Sequence, residues 1–221
     1  MIEKKFVEAK KQEFEIKEFI RNKFGKGKIS EIKLERTPIG EKIIITTPKK
    51  GLVLGKAYEN IQELVSTLKK KFKLENPQIE VVEIDPEFDA QTIADRIALA
   101  LERFGPLSFK LIAYRELERL AKAGALGAEI RLSGKLPSER AKSWLFSFGY
   151  LKKTGETRYI VKKAKAVAET KPGIIGIKVA IVPKDTKIPD KIEINYEELN
   201  KIRKKIEELE KLEKNGNNKK K

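Results

Sequence analysis

Gly51-Leu52-Val53-Leu54-Gly55-Lys56-Ala57-Tyr58, followed at once by Glu59-Asn60-Ile61, decides how the first half of this chain folds. A flat apolar run ends in a glycine, a lysine and a small residue, and a strongly amphipathic helix starts directly after it. Leu52, Val53 and Leu54 are expected to be buried, with Gly55-Lys56-Ala57 holding backbone up to a ligand. Ile61, Leu64, Val65, Leu68 and Phe72 fall at i, i+3, i+4, i+7 and i+11, which is one helical face.

Upstream, Ile16, Phe19, Ile20 and Phe24 share one face of a helix over 8–24. Gly25-Lys26-Gly27 reads as its stop, because no strand precedes it and a dinucleotide fingerprint would need a third glycine. Ile32 and Leu34 alternate with charged residues in a half-buried strand. Thr37-Pro38-Ile39-Gly40 turns the chain into a more buried strand at Ile43-Ile44-Ile45. Gln78 to Ile84 forms a third. The order is helix, two strands, short helix, glycine loop, helix, strand.

That order tells two loop types apart. A nucleotide-binding P-loop fails here: only three residues separate Gly51 from Gly55-Lys56, and Ala57 stands where a Ser or Thr should hold magnesium. The G-x-x-G loop of a KH module fits better, since its glycines let a sugar-phosphate backbone approach the main chain. A helix N-terminus adds partial positive charge, and Lys50 and Lys56 add full charges. Tyr58 stands at the second glycine. If that position is left-handed, tyrosine costs about 1–2 kcal/mol, while stacking on a base returns ~1–3 kcal/mol. The groove either holds RNA or has become a structural loop.

Composition points the same way. The chain has 221 residues, 37% of them charged, with 49 Lys+Arg against 33 Asp+Glu and a net charge of +16. A polyanion is the natural partner, nucleic acid ahead of an anionic membrane. The absence of a long apolar run and of an apolar leader predicts a soluble cytoplasmic chain with no membrane partner. With no cysteine and no histidine, disulfides, ordinary zinc sites and Ser-His-Asp or Cys-His sets are excluded. Asp85, Glu87 and Asp89 read as capping and solvated acids rather than a magnesium cluster. No catalytic residue, metal, cofactor or small-molecule substrate is expected.

A second α+β layer follows. Asp89 is placed to cap a helix carrying Ile93, Ile97, Leu101 and Phe104. Gly105-Pro106 breaks it and starts another helix, running to about Lys122. Gly124 and Gly127 lead into a strand at 128–132, and a polar loop over 133–143 leads to an aromatic strand with Trp144, Phe146, Phe148 and Tyr150. The aromatics are expected in the core. Residues 157–170 read as a helix, and 173–181 as the last strand. Residues 131–165 hold ten Lys/Arg against Glu139 and Glu156. Arg131, Lys135, Arg140, Lys142, Lys152, Lys153, Arg158, Lys162, Lys163 and Lys165 would neutralise phosphates with little sequence choice. Past Pro189, Tyr196, Leu199, Ile202, Ile206 and Leu209 keep a 3–4 spacing on a charged helix, packed on its own domain or docked elsewhere. A basic tail expected to be disordered ends the chain.

These residues resemble the archaeal form of the small-subunit ribosomal protein S-three family. The matches are Val53-Leu54-Gly55-Lys56, Glu59-Asn60-Ile61, Leu74-Glu75-Asn76-Pro77-Gln78-Ile79-Glu80-Val81, Gly127-Ala128-Glu129-Ile130-Arg131-Leu132-Ser133-Gly134-Lys135-Leu136, Glu139-Arg140-Ala141-Lys142-Ser143 and Gly173-Ile174-Ile175-Gly176-Ile177-Lys178-Val179 with Pro183. The resemblance covers about 1–190. It implies an α+β fold: a type II KH domain over 1–84, the family's C-terminal α+β domain over 85–190, and a charged helix and tail over 191–221. It implies a structural place in the head of the small subunit, bound to ribosomal RNA and lining the path by which mRNA enters, beside the S-ten and S-fourteen families. Bacterial relatives open messenger structure with a basic cluster that maps by ungapped counting to Lys110, Leu111 and Tyr114; only Lys110 keeps its charge, so strand opening would rest on other residues such as Arg115. A free-standing KH regulator or chaperone, and a DNA-repair lyase with a lysine nucleophile, are the rival readings.

Overall fold

The computed structural model describes residues 2–37, 40–55, 58–72, 74, 76–184, 186 and 203. Lys56 and the expected charged helix and tail, apart from Arg203, lie outside the described residues. The first unit, Met1–Thr186, carries two hydrophobic cores, each under its own sheet.

The first core follows from the periodicities. Helix α1 (Ile2–Phe24) buries Ile16, Ile20 and Phe24, and ends at Gly25, whose N–H bonds to the Arg21 carbonyl at 2.9 Å in a left-handed conformation (φ 79°). Strands β1 (Glu31–Thr37) and β2 (Gly40–Thr47) pair antiparallel, and β3 (Gln78–Glu83) joins β2 in parallel. The parallel pair needs a crossover, and helices α2 (Lys50–Leu54) and α3 (Glu59–Phe72) supply it. Leu64 and Leu68 are fully buried, each contributing about 1.5–3 kcal/mol. Val53 is buried as expected, but Leu52 is 50% exposed. The run at 52–54 lies in the short helix expected there, which can bury only one side.

The second core lies between two helices and a four-stranded antiparallel sheet ordered β5-β4-β7-β6. Asp89 caps α4 (Ala90–Phe104), accepting from the Thr92 N–H at 2.8 Å. After a 3-10 turn at Pro106–Ser108 comes α5 (Phe109–Ala123), closed by left-handed Gly124. Phe104 does not join the core: it is 62% exposed, at the last residue of α4. The strands are β4 (Gly127–Gly134), β5 (Lys142–Gly149), β6 (Lys162–Thr170) and β7 (Gly173–Val182). Ile130, Leu132, Phe146, Ile175, Ile177, Val179 and Ile181 line the helix side.

The helix expected over 157–170 is the strand β6, preceded by one 3-10 turn at Glu156–Tyr159. Lys-Ala-Lys-Ala-Val-Ala has strong helix formers, yet it alternates with period two. Ala164, Ala166 and Ala168 turn inward, while Lys163, Lys165 and Val167 turn outward. The alanines answer packing rather than propensity, because α4 lies against β6 and brings Ala90, Ala94 and Ala98 to the same core. Small side chains on both elements let helix and sheet close.

The free edge of β6 is covered by side chains. Lys26 Nζ donates to the Val167 carbonyl at 3.2 Å, Gln91 Nε2 to the Lys165 carbonyl at 3.3 Å, and the Glu169 N–H donates to Glu102 Oε1 at 3.1 Å. An uncovered edge would present these groups to another chain. The same side chains join the two cores, since Lys26 also pairs with Glu102 at 2.9 Å.

Candidate nucleic-acid interface

Among the described residues, the side of this sheet away from the helices carries no helix. On that side the register sets Arg131 of β4 directly opposite Lys178 of β7, and Lys178 directly opposite Lys165 of β6. All three side chains are exposed. One row along, Ala180 of β7 stands between Lys163 of β6 and Glu129 of β4. Ser133 and Ser143, joined by a 3.1 Å hydroxyl bond, Ser147, Gly176 and Ala180 share this side, as do the exposed Leu145, directly opposite Arg131, and Val167, opposite Gly176.

Like charges directly opposite one another destabilise a sheet by up to about 1 kcal/mol per pair. Three in one row therefore carry a standing cost that a bound polyanion removes. A groove of about 540 Å³ runs over this face, lined by Arg131, Lys152, Lys153, Lys163, Lys165 and Lys178 with Arg21 at one side; among the described residues Glu129 is the single acid in its lining. Glu129 is shared by Lys153 at 2.6 Å and Arg131 at 3.7 Å, which holds both cations at the groove.

The structure divides the basic constellation of 131–165. Arg131, Lys152, Lys153, Lys163 and Lys165 meet at the groove. Lys142 opposite Gly134 has the register parity of Trp144 and Phe146, the opposite side of the sheet. Arg140 is exposed in the β4–β5 loop, where the Ser138 hydroxyl donates to its carbonyl at 3.1 Å, and Lys135 is exposed directly after Gly134. Arg158 lies in the 3-10 turn before β6. Lys178 was missed because it is an isolated lysine in the apolar run 173–182; the period of that strand marks it as outward-facing.

The aromatic strand divides too. Phe146 is buried, but Trp144 is partly exposed, and Lys110 Nζ lies 4.7 Å above its ring. The Tyr114 ring meets Phe146 at 5.2 Å. Lys110 and Tyr114 thus lean on β5.

In the first half, Gly55 follows α2 with φ 71°, and a Cβ there would meet the Asn60 side-chain amide at 2.5 Å. Tyr58 has φ 62°, the one left-handed non-glycine among the described residues, with its ring 61% exposed. Both glycine positions of the G-x-x-G pattern, Gly55 and Tyr58, have positive φ, although the second is no glycine. Lys50 reaches Glu83 of β3 at 4.0 Å, so part of its charge is already answered.

Two family models match the chain in this order: KH domain over residues 15–87, and Ribosomal protein S3, C-terminal domain over residues 97–181. Small ribosomal subunit protein uS3 of Methanocaldococcus jannaschii is 40% identical over 194 residues, covering 87% of this chain and 92% of that protein. This chain belongs to the uS3 family. The uS3 of Methanosphaera stadtmanae is 36% identical over 201 residues, covering 90% of this chain and 79% of the relative, and that of Halobacterium salinarum is 39% identical over 194 residues, covering 87% and 64%. As a uS3 member the chain is a KH domain followed by an S3 C-terminal domain. Among the described residues no helix is long and apolar enough to cross a membrane.

Proposed function

We propose that this chain is a structural constituent of the small ribosomal subunit. It binds ribosomal RNA in the lower head and lines the path of incoming mRNA, next to S-ten and S-fourteen family proteins in the cytoplasm. On this reading 1–84 is the KH domain, 85–190 the C-terminal domain and 191–221 a charged extension, and the chain has no enzymatic activity of its own. The observation that carries it is the row of exposed Arg131, Lys178 and Lys165 on one sheet face. A row of cations on an exposed sheet face suits a phosphate backbone and reads no bases, which is how a structural RNA protein gains affinity.

Lys50, Gly55, Lys56 and Tyr58 form a second contact, where an exposed ring at the tip of the KH loop stacks on a single-stranded base. Lys110, supported on Trp144, with Lys135, Arg140 and Lys142 in and beside the β4–β5 loop, forms a third, toward messenger. Sedimentation of cell extract tests the assignment: the chain should travel with small subunits at moderate salt, and its absence from those fractions overturns the reading. For the free chain, six phosphate contacts predict a loss of RNA affinity of about a thousandfold between 50 and 200 mM salt. A flat salt profile is incompatible with this interface.

A further inference from the structure

Helices α4 and α5 enclose a second groove of about 470 Å³ whose chemistry differs from that of the sheet face. Arg96, Arg103, Arg115 and Arg119 line it, and no lysine among the described residues does. The chain has ten arginines among its 49 Lys+Arg, so four of ten meet in one place. Leu99, Phe104 and Leu111 lie between them, Phe104 and Leu111 each 62% exposed.

The arginines divide into held and free. Glu116, nearly buried, accepts from Arg96 at 3.2 Å and from Arg119 at 3.0 Å, which ties the helices together. Arg103 and Arg115 have no acidic partner among the described residues. The groove is also separate from the face toward β5. Lys110 and Tyr114 lean on Trp144 and Phe146, whereas Leu111 and Arg115 line the side toward α4.

We infer that this groove docks a protein segment carrying carboxylates beside leucine- or phenylalanine-sized side chains. Arginine's planar fork matches a carboxylate in bidentate fashion, and arginine with aromatic residues is enriched at protein interfaces while lysine is depleted. A nucleic-acid backbone would answer the charges but leave Leu99, Phe104 and Leu111 against solvated phosphate. An amphipathic acidic segment covers the apolar side chains and pairs Arg103 and Arg115 together. The inference rests on the proposed residence in the small subunit for the identity of its neighbours, and on the groove alone for its chemistry.

The test replaces Phe104 by benzoylphenylalanine in the full chain, assembled into small subunits. Irradiation should link it to another ribosomal protein through a peptide with Asp or Glu beside apolar residues. The R103E/R115E pair should lower the yield about tenfold, as expected for interface anchors. A link to RNA, to this chain's own segment 187–221, or to nothing overturns the inference. A variant chain missing from the subunit fails the ribosomal reading instead, and a second measurement then decides. The free full chain is titrated with a helical peptide of leucines at i, i+3, i+4 and i+7 and glutamates elsewhere. Binding lost in R103E/R115E but kept in K165A/K178A supports the groove; no binding, or equal loss in both, overturns it.

Discussion

The Gly27 N–H donates to Asp95 Oδ2 at 2.9 Å, tying the loop that ends α1 to the second turn of α4, 68 positions later. Asp95 Oδ1 accepts from Gln91 Nε2 at 2.9 Å, and Gln91 in turn holds the edge of β6. Burial raises the Asp95 carboxyl above its usual 3.8, opposed by the bonds from Gly27 and Gln91 and by the charge of Arg21. Asp89 adds a smaller upward push.

An acid raised in the folded state stabilises fully below its unfolded pKa, and that contribution is lost as pH rises through the folded value. Asp95→Asn removes this dependence while leaving an oxygen for Gly27. In urea unfolding, the variant's stability relative to the parent should therefore improve from pH 4 to pH 7. A trend in the opposite direction would mean that the ionised carboxylate is the favoured form at the joint.

Ala166 turns toward α4 and Val167 toward solvent. Ala166→Leu should destabilise by about 1–3 kcal/mol through overpacking, and Val167→Ala should stay within about 0.5 kcal/mol. Thermal melts of the two variants check it. Equal costs would contradict the alternation of β6.

Lys165→Ala with Lys178→Ala should reduce the slope of log affinity against log salt by about 0.7–0.9 per lost phosphate contact. Both side chains are exposed and their removal relieves the like-charge row, so stability should rise, by up to about 1 kcal/mol per relieved pair. Arg140→Ala with Lys142→Ala should flatten the slope by a similar amount per contact if the β4–β5 loop also meets RNA. A filter-binding series on ribosomal RNA fragments separates the two pairs, and whichever leaves the slope unaltered lies off the RNA.

Tyr58→Gly relieves a left-handed tyrosine, a gain of about 1 kcal/mol in stability. Single-strand affinity should fall by about 1–3 kcal/mol as the stacking ring is lost. Chemical denaturation and fluorescence anisotropy with a short single-stranded RNA measure the two effects. Unchanged or stronger binding would make the loop purely structural.

Much of the architecture was legible locally. Ile61 to Phe72 repeat at helical spacing, Asp89 precedes an amphipathic run, and Gly25 and Gly124 end helices, because these signals act within a few residues of backbone. At the ends of the Gly55–Tyr58 stretch, the positive φ of Gly55 and Tyr58 matches the left-handed backbone whose cost the pattern raised at Tyr58. Segment 162–170 was not. Its alanines and lysines favour a helix in isolation, and only the docking of α4 makes a pleated row of small side chains the better solution.

The interface divides along the same line. Net charge, the glycine loop and the Gly127–Leu136 and Gly173–Val179 motifs determined, by themselves, a KH-containing uS3 chain that carries an excess of cations. Which cations act together was decided by tertiary structure. Register sets Arg131, Lys178 and Lys165 in one row although they are far apart in sequence, and the packing of α4 on α5 gathers four arginines that the chain spaces as unrelated. Periodicity determines the side of an element on which a residue lies. Only pairing between distant elements determines its neighbours.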